Sequence, residues 1–376
     1  MLGVCSRGEL HEKRKKPLWK RIVKAILCLI LVLVIAVVGL CIATIVTEYN
    51  PEQEETVAIE GAGSKEYVYG EPLRILSWNV GYCGLGEQED FFMDGGQEVF
   101  PSSKQAVQDN LEAIEVYLQQ TDADAIFLQE VDQNATRTSY INEVASFRSV
   151  LDGYASVFAN NFKVLFVPYP IPPMGHEDAG IMTFSKYDIS DATRIQLPCP
   201  FTGIEKIGNL KRCLLVSRIP VANSDKELVL INLHLEAYDS GEGKIAQTKM
   251  LAEVMQAEYD KGNYVVVGGD FNQVFDNVDD SMYPAQSGGS WVPGKVDTSV
   301  FGSKWTFLMD TTHPTCRTLA KPYVNVSPDE DFQFYMIDGF IISNNIQAES
   351  IETKDLGFKN SDHNPVEVTL YPSEIQ

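Results

Sequence analysis

The pattern of apolar and polar positions divides the chain sharply. Residues 25–47 (AILCLILVLVIAVVGLCIATIVT) contain no charge and almost no polar group. Beyond them, apolar positions come in short runs. Segments 73–79 (LRILSWN), 125–130 (AIFLQE), 228–234 (LVLINLH) and 265–270 (VVVGGD) are β-branched or alternating, and each closes on a polar side chain. Further strands are expected at 180–184, 193–197, 212–218, 335–343 and 366–370. Helical spacing joins Val107, Leu111, Ile114 and Leu118; then Val144, Phe147 and Leu151; then Leu251, Val254, Met255 and Tyr259. Between these elements, 81–96 reads as a long loop, 167–173 as a stiff loop with four prolines, and 273–302 as a surface insertion.

The 25–47 run changes the topology. A bilayer core needs about 20 apolar residues as a helix, and a cleavable signal only ~7–15. The run is therefore expected to be an uncleaved anchor. Eight Lys/Arg and two acids precede it, which places the N-terminus in the cytoplasm and the body outside. Four segments follow from this reading: a basic N-terminus (1–24), a transmembrane helix (25–47), an acidic linker (48–72) and one large domain (73–371). Of 30 basic and 52 acidic residues, 22 and 50 lie beyond residue 46, a net charge of −28. So acidic a body repels polyanions unless a metal or a local basic patch intervenes. The seven cysteines show no zinc-site spacing. Cys199 and Cys213 could pair across a loop, though scattered buried thiols fit the spacing better. Asn134 and Asn325 each open a glycosylation triplet.

The ends of the strands carry the chemistry. In 265–272, three valines run into two glycines and then Asp270 and Asn272. An extended chain points residues i and i+2 to one side, so both would face one site. Strand ends likewise deliver Asn79, Glu130, His234, and Asp362 with His363. Asp338 sits among apolar residues of YMIDGFIIS, where a buried carboxylate needs a partner. Any one of these is a common way for a strand to finish; the ordered set is not.

In that set the chain resembles the endonuclease/exonuclease/phosphatase superfamily, through SWN at Asn79, LQE at Glu130, NLH at His234, GGDFN at Asp270 and Asn272, IDGFIIS at Asp338 and SDHNP at Asp362 and His363. The resemblance implies an α/β fold, a four-layer sandwich of two packed mixed β-sheets flanked by helices. It implies hydrolysis of a phosphoester with Mg²⁺, or Mn²⁺ in its place. Glu130 and Asn79 match the family's metal corner, with Asp362 close to it. His363 matches a proposed general base, with Asp338 holding its tautomer. Asp270 would orient or activate water, Asn272 bind phosphate, and His234 contact phosphate or protonate the leaving group. Whether Asp270 or His363 takes the proton is left open at this point. Arg137, soon after the Glu130 motif, is either a contact to substrate phosphate or a surface arginine.

The expected substrate is a lipid headgroup or small phosphoester rather than nucleic acid. An anchored, acidic body points that way, and Lys211-Arg212 is its only adjacent basic pair. A surface nuclease is the alternative. A non-catalytic binding module is a second alternative, disfavoured because no catalytic-type position is missing.

Overall fold

The uncharged run lies in one helix, α1 (Leu18–Val46), which starts ahead of it and takes Lys20, Arg21 and Lys24 into its first turns. It is long and apolar enough to cross a membrane. The structure is a computed structural model that describes residues 17–286, 291–324, 326 and 332–372. The basic residues before Pro17, Cys5 and the triplet at Asn325 lie outside the described residues. The chain divides after Thr47 into two compact units. All other elements belong to the second.

In chain order the strands are β1 (Glu54–Thr56), β2 (Ile59–Glu60), β3 (Leu73–Asn79), β4 (Ala125–Asp132), β5 (Ala155–Val167), β6 (Gly175–Ser185), β7 (Asp191–Gln196), β8 (Cys213–Pro220), β9 (Glu227–His234), β10 (Tyr264–Asp270), β11 (Gln273–Phe275), β12 (Gly294–Val296), β13 (Trp305–Leu308), β14 (Cys316–Arg317), β15 (Phe334–Tyr335), β16 (Asp338–Ser343), β17 (Ile346–Thr353) and β18 (Val366–Pro372). Among the described residues the remaining α-helices are α2 (Lys104–Gln120), α3 (Glu143–Val150), α4 (Gly203–Gly208) and α5 (Glu242–Asp260). One seven-stranded sheet runs β1-β7-β8-β9-β10-β16-β13, and the other β17-β18-β3-β4-β6-β5-β2. Both are mixed: β9 and β10 pair in parallel, as do β3 and β4, within otherwise antiparallel sheets.

Strand alternation assigns the layers. Ile75, Phe127, Leu230, Val266 and Phe340 meet between the sheets. The odd-numbered valines of β10, Val265 and Val267, turn outward to Leu251 and Met255 of α5. On the far side, Leu76, Trp78 and Leu128 pack on Val107, Leu111 and Ile114 of α2 and Phe147 of α3. This gives the helix–sheet–sheet–helix sandwich that the resemblance implied.

Several expectations of local structure are corrected. The stretch 48–72, read as a linker, supplies β1 and β2 to the edges of the two sheets, paired with β7 and β5. Their partners lie more than 90 residues away, so nothing local in the sequence marks them. The 273–302 insertion is not confined to the surface: Val274, Phe275, Val296 and Phe301 are buried with α5. Strands β5, β13 and β17 were not expected. The segment expected as a strand at 335–343 is interrupted: β15 ends at Tyr335, and the sheet strand begins at Asp338.

Candidate active site

The inner face of each central strand is apolar for most of its length and polar at its C-terminal end. On β3 the inward positions are Leu73, Ile75, Ser77 and Asn79; on β9 they are Leu228, Leu230, Asn232 and His234. A polar layer seals the core from the site. Gln129 Nε2 donates to Asn232 Oδ1 at 2.8 Å and to Ser77 Oγ at 3.3 Å, so the two sheets are joined there. Asn232 Nδ2 in turn donates to the carbonyls of Met182 and Leu128.

Beyond this layer the candidate residues converge. In register, Asp270 pairs with His234 on one side and Asp338 on the other, so three side chains stand in a row. Gly269 makes this row possible. Its φ is +141°, and a Cβ there would strike the Leu233 carbonyl. Asp338 Oδ2 lies 2.8 Å from His363 Nδ1. His363 Nε2 then faces Asp270 Oδ2 at 3.8 Å and Asp362 Oδ2 at 4.0 Å. His234 Nε2 lies 3.5 Å from Asp270 Oδ2.

Parity alone would put Glu130 on the outer face, because Gln129 faces inward. A register shift between Leu128 and Val131 and a left-handed φ of +54° at Glu130 turn it into the cavity. Asn79 Nδ2 donates to Glu130 Oε1 at 3.2 Å and Asp270 Oδ2 at 3.0 Å, while its Oδ1 accepts from the Gly81 amide. Asn79 therefore orients the two carboxylates. Asn272 completes an Asx turn on Asp270 Oδ1 and donates to the Leu235 carbonyl at 2.9 Å. The 361–363 segment is pinned by Ser361 Oγ, which donates to the Asn79 carbonyl, and by Trp78 Nε1, which donates to the His363 carbonyl.

Arg137 is neither a surface arginine nor a free phosphate contact. Its guanidinium stacks 3.8 Å over the Tyr82 ring and is clamped by Asp132 at 2.7 Å and Glu177 at 3.3 Å. It lines the cavity through that stack.

Burial shapes the electrostatics. Desolvation and the neighbouring Asp338 push Asp270 up to about 7. Desolvation and Glu130 push Asp362 up to about 6. Burial alone would lower His363, but Asp338, with Asp362, outweighs it and holds the imidazole well above its ordinary value. His234 is held well below its ordinary value by burial and by Arg212, and is neutral. Crowded carboxylates with raised proton affinity are what a bound cation would relieve. The oxygens of Glu130 and Asp362 are hard donors that suit a divalent ion.

Of the site residues singled out from the sequence, all except Asn79 and Asp338 line a cavity of about 620 Å³. Its walls include Phe91, Phe92, Met93, Phe162, Val167 and Met174. Sequence reasoning missed several lining groups. Asp94 accepts from the Tyr238 hydroxyl at 3.0 Å, and burial pushes its carboxyl up to about 7. Arg212 pairs with Glu236 at 3.5 Å and donates to the His234 carbonyl. Cys316 lies beside His363. Asp94 ends a three-residue 3-10 turn, Phe92–Asp94, too short to show periodicity, so no pattern marks it. Arg212 directly precedes β8, whose partner β9 ends in His234, and that pairing was its one available signal. All six described cysteines, Cys199 and Cys213 included, are free thiols.

Comparison with known proteins gives three findings. The model of the endonuclease/exonuclease/phosphatase family matches residues 76–328. Asp338, Asp362 and His363 lie past that match, and the fold brings them back to the rest. No curated protein matches the sequence. Among solved structures, an endonuclease/exonuclease/phosphatase from Beutenbergia cavernae is 18% identical with a TM-score of 0.54, over 80% of this chain and 72% of that one. Family proteins from Bacteroides thetaiotaomicron and Bacteroides vulgatus are each 14% identical with a TM-score of 0.51, over 81% of this chain and 99% and 100% of theirs. At such identities the likeness is one of fold. Proteins of this family typically use divalent metal ions. The chain belongs to the endonuclease/exonuclease/phosphatase family, whose members are hydrolytic phosphoesterases.

Proposed function

We propose that this protein is a Mg²⁺-dependent phosphodiesterase or phosphatase that acts outside the membrane on a lipid headgroup or small phosphoester. One observation carries the substrate class: a single cavity is lined both by Glu130, His234, Asp270, Asp362 and His363 and by the aromatic and aliphatic side chains of Phe91, Phe92, Phe162, Val167 and Met174. A phosphate with an apolar substituent fits that combination. A polyanionic strand asks for an open basic groove, whereas Arg137 and Arg212 at this cavity are already paired with carboxylates.

Glu130 and Asp362 would hold Mg²⁺, with Asn79 keeping Glu130 in place. Bound there, the ion supplies charge neutralisation on phosphate oxygens and a lowered pKa for water. Asp270 is the better proton acceptor, because a base poised near 7 is suited to neutral pH. His363, held as imidazolium by Asp338, presents Nε2–H to a phosphate oxygen. Neutral His234 offers one further hydrogen bond beside it. Asp270 takes the proton from the attacking water, and the leaving oxygen is protonated by His363 or by solvent.

Helix α1 would anchor the body, with the basic N-terminus inside the cell. Protease added to intact cells should then digest the body; recovery of the body only after permeabilisation would reverse the orientation. The substrate reading is tested by steady-state hydrolysis with the full chain in detergent micelles at physiological salt. Phospholipid or a small phosphoester should be turned over at least about ten-fold more efficiently than DNA, as kcat/KM. Efficient, salt-sensitive DNA cleavage without lipid or small-phosphoester turnover would replace this reading with the nuclease one.

A further inference from the structure

The site holds a sulfur for which phosphoester hydrolysis has no use. Cys316, in β14, is bridged antiparallel to His363, is 6% exposed and lines the cavity. Its Sγ, a carboxylate oxygen of Asp362 and a ring nitrogen of His363 all lie within 4.8 Å of one another.

A second observation concerns the imidazole. Its Nδ1 is held from behind by Asp338 at 2.8 Å. Around Nε2, Asp270 Oδ2 stands at 3.8 Å and Asp362 Oδ2 at 4.0 Å. A carboxylate behind a histidine whose far nitrogen faces other donors is the arrangement that orients histidine toward a metal.

The donor types select the ion. Mg²⁺ takes oxygen and sheds its waters reluctantly. Thiolate and imidazole favour Zn²⁺, which binds N, O and S at about 2.0–2.3 Å. Tetrahedral bonds of that length put ligand atoms ~3.3–3.8 Å apart, so the triangle needs to tighten by at most about 1.5 Å. The cavity supplies the fourth, open position.

We propose that Cys316, Asp362 and His363 form a site for Zn²⁺, and that filling it switches hydrolysis off. On binding, the Sγ–Zn and Nε2–Zn bonds form as the S–H bond of Cys316 and the Nε2–H bond of His363 break, and both protons go to solvent. The ion then occupies His363 Nε2 and Asp362, which the proposed reaction needs for phosphate and Mg²⁺. Zinc binding stands independently of the proposed activity; the switching-off rests on it.

Co²⁺, added to the full chain in detergent after chelator treatment, is the probe. A thiolate-to-Co²⁺ charge-transfer band should appear with one equivalent of ion, be displaced by Zn²⁺ but not by Mg²⁺, vanish in Cys316→Ser and persist in Cys199→Ser. With Mg²⁺ present, Cys316→Ser should keep its basal turnover. Its half-inhibiting Zn²⁺ concentration should rise by about 100-fold, the upper range for losing even an indirect partner of a metal ligand. Circular dichroism checks folding, with Cys316→Ala as the second variant. No thiolate band in the wild-type protein, or a band that survives both variants, overturns the site. Equal zinc inhibition of wild type and Cys316→Ser overturns the switch. A band with no hydrolysis of any phosphoester supports the site and overturns the activity instead.

Discussion

His234, Asp270 and Asp338 are cross-strand neighbours on β9, β10 and β16, aligned by sheet register once Gly269 lets β10 lie close to β9. The facing sheet has no such row. There Glu130 is turned inward by a left-handed residue at a bulge, and Asp362 and His363 hang in the irregular segment before β18. One side of the site is set by regular structure, the other by local exceptions to it. In the row, a substitution can change chemistry while leaving geometry alone. Among the exceptions, chemistry and backbone strain are altered together.

The largest effects should be on turnover, and they probe both sides at once. His363→Ala and Asp270→Asn should each lower kcat by about 10²–10⁴-fold with little change in KM, the usual range for acid–base groups. Asp338→Asn should fall between these and wild type, because it acts through its neighbours, chiefly Nδ1 of His363, rather than on the substrate. A silent Asp338→Asn beside an inactive His363→Ala would break the link between the row and the exceptional segment.

The next effect is on pH dependence. Activity should rise with pH through about 7 as Asp270 ionises and fall at higher pH as His363 loses its proton. The rising limb should disappear in the residual activity of Asp270→Asn.

Stability should move the opposite way. The folded state raises Asp270 from its ordinary 3.8 to about 7, so it binds the proton more tightly than the unfolded chain does. Ionising Asp270 therefore costs stability, beginning near pH 4 and complete above about pH 7. In chelator, Asp270→Asn should melt higher than wild type at pH 8 and lose that advantage below pH 4. A lower melting temperature at pH 8 would show that the row is held by this charge rather than by register.

The smallest effect separates the exceptions from the row. Glu130→Ala and Glu130→Gly both remove the carboxylate and should both lose metal-dependent turnover. The φ of +54° at Glu130 is unfavourable for any residue with a Cβ. The glycine variant should thus be about 1 kcal/mol more stable than the alanine variant by denaturant titration. Equal stabilities would mean that the bulge relaxes once the side chain is gone.

The same division governs what could be read from the sequence. Asn79, His234 and Asp270 were legible because apolar alternation assigns them a face, and the motif order ties them together. Glu130 was legible only by motif, since alternation points it the wrong way. Arg137 read as a possible ligand because its partners Asp132 and Glu177 come together only once β4 and β6 pair. Asp94 and Tyr238 carry no pattern, and the hydrogen bond between them joins segments 144 residues apart. The edge strands β1 and β2 were hidden for a related reason: two or three residues contain too little alternation to show.

The shared parity of β9, β10 and β16 has a practical side. Val266 and Phe340 share the inner face of the sheet with Asp270 and Asp338, and a slip of one residue would turn all four outward at once. No misthreaded chain can bury its hydrophobes and merely misaim its carboxylates. Specific activity in a refolded preparation would then act as a head count of correctly threaded molecules rather than an average over partly competent ones.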